Sequence, residues 1–434
     1  MQYPSRSSSE GSVVVLITAT TPWPLSARLA VRLIAHGCVV HALCPHGDAL
    51  HAVCGIGEIR GYSVFDSLAA LEKAITASRP DIIVPCDDRA VWQLHELHMR
   101  RPEWRNTIEN SIGAPASFAT VRSRAALIAT ARESGIRVPE TQVIRSEGDL
   151  NEWFTTRPGA AVLKLDGTWG GRGVCVVRSE DHAARVWRKY AARQGSARAL
   201  KRWLIDRDPL AFWGLRSYDG RVASMQQFIL GRPANVMLAS WKGSVLGLVT
   251  VEVLCTQGAT GASTIVRLIR NAEIERAAEV IVGRLGLSGF HGFDFILEDG
   301  TGVPYLIELN ARCTQLGHLV LPKQGDLAGL LSRALGARGA CESDPPIDRE
   351  LIAFFPQALA WNPDSPYMKH CHHDVPWSEP ALTRELLREP WPERHWLPRL
   401  YNRIRGEERP PASNPSSFLQ LAAEEGRSGV PNVQ

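Results

Sequence analysis

Two stretches of this chain carry side chains whose types and spacing suit chemistry better than packing. The first is KLDGTWGGRG, residues 164–173, set between the apolar runs AAVL and VCVV. Glycines at 167, 170, 171 and 173 let a hairpin loop take positive φ and bring backbone N–H groups close to an anion. Lys164, at the end of the first run, adds a point charge to the same phosphate chain. The lysine precedes the glycines and no Lys-Ser/Thr pair opens a helix, so this is not a Walker loop. Taken alone, the stretch is equally a plain glycine-rich hairpin.

The second stretch is GFDFILEDGTGVPYLIELNAR, residues 292–312. FDFIL and PYLIELN alternate as strands around the turn residues EDGTG, which predicts a hairpin. With 299–303 as the loop, Asp294 falls directly opposite Glu308. Like charges facing each other at ~5 Å destabilise a sheet, so a cation should sit between them. Asn310, two residues beyond Glu308, shares its face. Two carboxylates and a carboxamide form the hard oxygen set that suits Mg²⁺ held through substrate phosphates. A solvated polar face is the competing reading, but it must set Asp and Glu among Phe293, Phe295, Ile307 and Leu309, whose alternation implies a buried side. A one-residue bulge would break this register. Arg312 continues the face, to grip a phosphoryl group or carboxylate bidentately or to neutralise Glu308.

Weaker signals surround these. SMQQFILG, 224–231, reads as an edge strand whose backbone could meet a nucleobase edge. In ATGASTIVRLIR, 259–270, a loop precedes a strand, and Arg267 is a candidate anion contact, with a surface arginine as the alternative. His291 is expected to pack. KHCHHD, 369–374, crowds three His and one Cys too closely for a tetrahedral zinc site. The scarcity of lysine adds weight to Lys164: seven of the 49 basic residues are Lys and 42 are Arg.

The elements that must position these groups fall into distinct regions. Residues 13–110 alternate strand and helix (VVVLI, ARLAVRLIAHG, VVHALC, LAALEKAITASR, DIIVPC), which predicts a small doubly wound parallel sheet of Rossmann-like α/β type. No Gly-x-Gly-x-x-Gly follows the first strand, so a dinucleotide is not expected there. Residues 111–330 read as α+β with mostly antiparallel strands, and 331–405 as an irregular, Pro- and Trp-rich extension packed on the body. Residues 1–12 and 406–434 read as flexible.

A length of 434 residues predicts two to four domains, and 44% apolar content provides a core. Net charge is +4 with 22% charged residues, so neither nucleic acid nor a membrane surface is an expected partner. Nine Cys without a Cys-x-x-Cys pair point to a reducing cytoplasm. No signal peptide or membrane helix is expected.

Taken in order, the pieces from about residue 13 to 325 resemble the ATP-grasp superfamily, whose members include biotin carboxylase, carbamoyl phosphate synthetase and D-alanine ligase. Lys164 with Gly170, Gly171, Arg172 and Gly173 resembles the family's phosphate lysine and glycine loop, and Arg124 stands where its first phosphate lysine usually is. Gln226, Gln227 and Ile229 occupy the adenine hinge, with Gln226 in place of the usual acid. Asp294, Glu308 and Asn310 match its metal ligands and Arg312 its following arginine. GIRVPET resembles the linker into the small lobe. CTQLGH after Arg312 lacks the glutamate base of biotin carboxylase, which argues against biotin carboxylation. The resemblance implies an α/β pre-ATP-grasp domain followed by an α+β ATP-grasp domain, with ATP and Mg²⁺ (or Mn²⁺) as cofactors. It implies a ligase of small molecules: a carboxylate is activated as an acyl phosphate and attacked by an amine, with ADP and phosphate released. A nucleotide-binding module without turnover is the alternative, and a homodimer is compatible with either.

Overall fold

All five residues of β1 (Val14–Thr18), four of them apolar, are buried, as expected of a strand covered on both faces. It is one of two inner members of a parallel sheet ordered β3-β2-β1-β4, with β2 (Val39–Cys44), β3 (Ile59–Gly61) and β4 (Ile82–Pro85). Helices α1 (Pro24–Ala35), α2 (Ser67–Ser78) and α3 (Asp88–Arg100) connect or follow these strands. The computed structural model describes residues 12–62, 66–165, 173–191, 223–258, 261–322, 325–339 and 346–388. The two expected flexible tails, apart from Ser12, and the end of the expected extension lie outside the described residues.

The sheet changes winding direction between β1 and β4, and there the loops that follow both strands open a crevice, the usual place for a ligand in such folds. Asp87 ties the two loops together. Its carboxylate accepts from the Thr20 N–H at 2.5 Å, the Thr20 hydroxyl at 2.9 Å and the Ala90 N–H at 2.9 Å, capping α3 in the process. Asp88 and Trp23 are thereby held on the rim.

Helices α4 (Arg105–Ile112), α5 (Phe118–Arg122) and α6 (Arg124–Glu133) lead out of this region. Ser123 caps α6 and so fixes Arg124 in its first turn. A four-stranded antiparallel sheet follows, ordered β5-β8-β6-β7: β5 (Thr141–Ile144), β6 (Ala161–Leu165), β7 (Val174–Val177) and β8 (Ala223–Gln227). Its back is covered by α7 (Glu147–Thr156) and α8 (Glu180–Ala191), with Leu150, Trp153, Leu163 and Met225 in the shared core.

The largest layer is a seven-stranded sheet ordered β13-β12-β9-β10-β11-β14-β15, built from β9 (Gly231–Trp241), β10 (Ser244–Thr256), β11 (Ser263–Leu268), β12 (Gly289–Glu298), β13 (Pro304–Asn310), β14 (Leu351–Phe354) and β15 (His372–Asp374). One face packs on α9 (Ala272–Leu285), whose span and Asn271 cap match the helical pattern of the sequence. The other face shares a core with β1, α1 and helix α10 (Leu327–Ala334).

Two elements depart from the sequence reading. The inner strand β9 is not singled out there, because Gly231, Pro233 and Asn235 are poor strand formers; pairing with β12 on one side and β10 on the other overrides their propensity. Gly231 itself is required, since a Cβ there would lie 2.1 Å from the Leu297 carbonyl oxygen on β12. The stretch expected to be an irregular extension supplies β14, which pairs with β11, and β15, which pairs with β14. Both are too short to show periodicity. Among the described residues no helix is long and apolar enough to cross a membrane.

Candidate active site

The hairpin β12–β13 forms with Asp294 directly opposite Glu308. The register has a bulge, however. Near the turn Leu297 pairs with Pro304, and Phe295 pairs with Leu306, so Ile307 is the extra residue that brings Asp294 back opposite Glu308. The bulge also re-aims the Ile307 carbonyl, which accepts from the Lys164 ammonium at 3.5 Å across the cleft.

Each acidic group has its own escort. Asn235 on β9 donates to Asp294 Oδ1 at 2.6 Å, and Asn310 donates to Asp294 Oδ2 at 3.0 Å. Burial, and then the facing Glu308, push the Asp294 carboxyl up to about 6, against those two hydrogen bonds. Burial also works against Glu308, but Arg124 and then Lys164 hold it below the usual glutamate range. Arg124 places Nε at 3.1 Å and Nη2 at 2.7 Å from Glu308 Oε1, while Nη1 donates to the Leu165 carbonyl on β6. Lys164 is 5% exposed; burial pulls its ammonium below the ordinary lysine range, opposed by Glu308. Two neighbouring carboxyls shifted in opposite directions mark a site organised around charge rather than around packing.

Arg312 turns towards the N-terminal sheet. Its Nε donates to Asp88 Oδ1 at 3.0 Å and Nη2 to Asn310 Oδ1 at 3.4 Å, so the groups expected to hold a metal touch the rim of the Rossmann-like crevice. Burial disfavours the Arg312 charge, and Asp88 more than restores it. All these side chains line one cavity of about 460 Å³ between the four- and seven-stranded sheets. At one end it is apolar, with Val162, Val174, Ile229, Ile296 and Ile307. At the other lie Trp23, Asp88, Ser263 and Gln315.

The structure thus brings together Arg124, Lys164, Gln226, Gln227, Ile229, Asp294, Glu308, Asn310 and Arg312. Gly170, Gly171 and Arg172 lie outside the described residues; Gly173 has φ 75° and hydrogen-bonds through its carbonyl to Leu165, closing the β6–β7 hairpin. Arg267 is a correction. Its neighbour Val266 lines the cavity, and the two-residue period of β11 therefore sends Arg267 to the opposite face, where it pairs with Glu252 at 3.6 Å. His291 packs as expected, fully buried, with Nε2 2.8 Å from the Ser288 carbonyl oxygen. In the KHCHHD segment no metal-binding group of three His, Cys, Asp or Glu forms among the described residues. Sequence reasoning missed Asn235, Asp88 and Trp23. For Asn235 the available signal was a single polar residue among the alternating Ala234, Val236 and Leu238.

Residues 215–315 match a family model described as an ATP-grasp domain. That stretch is similar to an ATP-grasp domain. The matched stretch holds the expected hinge residues Gln226, Gln227 and Ile229, together with Asn235, the acidic hairpin and Arg312, whereas Arg124 and Lys164 precede it. Solved structures agree on the fold. The biotin carboxylase domain of Hydrogenobacter thermophilus 2-oxoglutarate carboxylase, solved with ADP, magnesium and bicarbonate, superposes with a TM-score of 0.54 at 15% identity, covering 76% of this chain and 71% of that one. Biotin carboxylase from Campylobacter jejuni gives 0.54 at 14% identity, covering 76% and 72%. N5-carboxyaminoimidazole ribonucleotide synthetase from Thermus thermophilus gives 0.52 at 15%, covering 76% and 80%. Curated protein sequences give no match.

The residues expected to form the hinge run from the end of β8 to the start of β9. The N–H groups of Gln227 and Phe228 donate to the Glu140 and Ala160 carbonyls at 2.8 and 3.3 Å, and the Gln226 amide donates to the Thr141 hydroxyl at 3.3 Å. Gln226 is buried, and its side chain is held to β5 beneath the apolar end of the cavity.

Proposed function

We propose that the protein is an ATP-dependent ligase that activates a small carboxylate as an acyl phosphate for attack by an amine, releasing ADP and phosphate. The observation that carries this reading is the convergence of Asp294, Glu308 and Asn310 from one sheet with Lys164 from the other on a single cavity. The donor set fits Mg²⁺ or Mn²⁺: hard oxygens only, with two opposed carboxylates whose mutual repulsion pushes Asp294 up to about 6 after burial has done so. When bound, the ion would neutralise phosphate oxygens.

The chain's own groups do the rest by position and charge. Lys164, buried and close to Glu308, presents its ammonium to the phosphate chain. Arg124 offers a planar fork to the same oxygens. Arg312, anchored by Asp88, stands where the acidic hairpin meets the N-terminal crevice, placed to meet charge on the carboxylate being activated. The resemblance assigns the glycine-rich residues 167–173, of which only Gly173 is described, to the phosphates. A reducing cytoplasm is the compartment this reading assigns, and the eight described cysteines are all unpaired.

The test is a screen of carboxylate and amine pairs for ADP release, followed by mass measurement of the product. The ligase reading requires ADP and phosphate in equal amounts, dependent on both partners. Nucleotide binding without turnover across a broad panel would leave a binding module instead, and a stable phosphorylated product formed without amine would be that of a kinase.

A further inference from the structure

Arg124 does more in this structure than wait for phosphate. Two of its nitrogens converge on Glu308 Oε1, at 3.1 and 2.7 Å, and the third reaches the Leu165 carbonyl of the opposite sheet. We propose that Arg124 holds the place of the divalent cation on Glu308 until nucleotide arrives, so that metal loading of the acidic hairpin is conditional on nucleotide phosphate. The inference rests on the nucleotide-binding reading above.

Three observations support it. The first is charge: Arg124, Lys164 and Arg312 face Asp294, Glu308 and Asp88, so the nucleotide-free site is already balanced. A divalent ion entering alone would add two uncompensated positive charges to a half-buried cleft. A nucleotide polyphosphate brings the negative charge that the ion then offsets, and gives the guanidinium new oxygens to grip. The second is space. Mg²⁺ requires its oxygens at ~2.1 Å, and one oxygen of Glu308, Oε1, is taken by a planar fork. A lysine would leave more of that oxygen free, because it presents one compact charge on a flexible stem. The third is freedom to move. Arg124 lines the 460 Å³ cavity, so leaving Glu308 does not mean breaking into a packed core.

The experiment measures Mn²⁺ binding to the full chain without nucleotide, by electron paramagnetic resonance or calorimetry. The wild type is compared with Arg124→Ala, Arg124→Lys and the double variant Arg124→Ala/Glu308→Gln. Removing the competing charge should tighten nucleotide-free Mn²⁺ binding by ~10-fold or more in Arg124→Ala and by a smaller factor in Arg124→Lys. The gain should vanish in the double variant, and affinity for ATP in chelator should fall. Equal Mn²⁺ affinity in wild type and both single variants would overturn the proposal, as would a gain that survives loss of the Glu308 charge. Should Arg124→Ala melt before it can be measured, Arg124→Lys alone decides: an unchanged affinity ends the proposal. Failure of the ligase reading is separate, since it shows as absent ADP release and leaves these affinities unaltered.

Discussion

Two groups of buried charge invite comparison, because they use the same residue types to opposite ends. Beneath α1, Asp374 accepts from Arg28 through both its carboxylate and its carbonyl, and His318 Nε2 lies 2.8 Å from its other oxygen. Next to it, Asp326 takes Arg32 at 2.5 Å, His36 at 2.8 Å and the Gly329 N–H at 2.6 Å. Burial resists both carboxylates, yet these partners hold each down to about 2. In the cleft the hydrogen bonds to Asp294 come from neutral amides and another carboxylate stands opposite, so that, with Arg312 a weaker influence, it is pushed up to about 6. The closed groups join α1 of the N-terminal region to α10 and β15, each carboxylate held by cationic or N–H partners. The cleft group balances its charges too, but it sets two carboxylates face to face beside a cavity, and such a cluster marks a functional site.

The sharpest way to test this contrast is Glu308→Gln, which removes charge without volume. If the cleft group exists for chemistry, turnover should fall by ~10³-fold, while the melting temperature changes little. Near-normal rates would show that the acidic hairpin is one more structural cluster. Asp374→Ala should do the reverse. It leaves Arg28 and His318 buried without their partner, at a cost of about 3 to 5 kcal/mol in unfolding free energy, while nucleotide affinity of the folded protein stays the same. Denaturant unfolding and calorimetric nucleotide binding, run on both variants, separate the two roles.

The contrast was only half visible in the sequence. The acidic hairpin could be read because Asp294, Glu308 and Asn310 sit within seventeen residues of one another, around a turn whose chemistry fixes the pairing. Even there the expected register was reached by an irregular route, through the bulge at Ile307. Lys164 was legible from its place between an apolar strand and a run of glycines. The closed groups were not legible, since Arg28 and Asp374 lie 346 residues apart and nothing local marks either as buried. The same limit hid Asp88, which meets Arg312 across 224 residues, and β14 with β15, which exist as strands only because β11 offers an edge. Arg267 was misplaced for a smaller reason: a period of two decides its face, and a loop of uncertain length before β11 leaves the phase open.

Acid titration gives a subtler test. Asp374 and Asp326 have folded values near 2 and ordinary unfolded values near 4, so their contribution is fully present above about pH 4 and is lost as pH falls towards 2. Each is worth about 2 kcal/mol over that window. Asp48 works in the opposite sense. Burial raises it to about 6, so its charged form is a burden at neutral pH and stability should grow as pH drops through 6. His95 and His291, held neutral by burial at about 3 and 4, work against this gain over the same window, so the decisive signal is the fall in unfolding free energy below pH 4. With Asp374→Ala the fall below 4 should be shallower.

The smallest effect is expected from Arg267→Ala. The side chain is 41% exposed on the face of the seven-stranded sheet away from the cavity, and its partner Glu252 also accepts from Arg232. A surface pair of this kind is worth less than ~1 kcal/mol, and steady-state rates should stay within about 2-fold of wild type. A loss beyond 10-fold in kcat/KM would mean that the functional cleft wraps around the edge of β11 to a face the cavity does not reach. The boundary between the open and closed charge groups would then have to be redrawn, with Glu252 and Arg232 moved to the functional side.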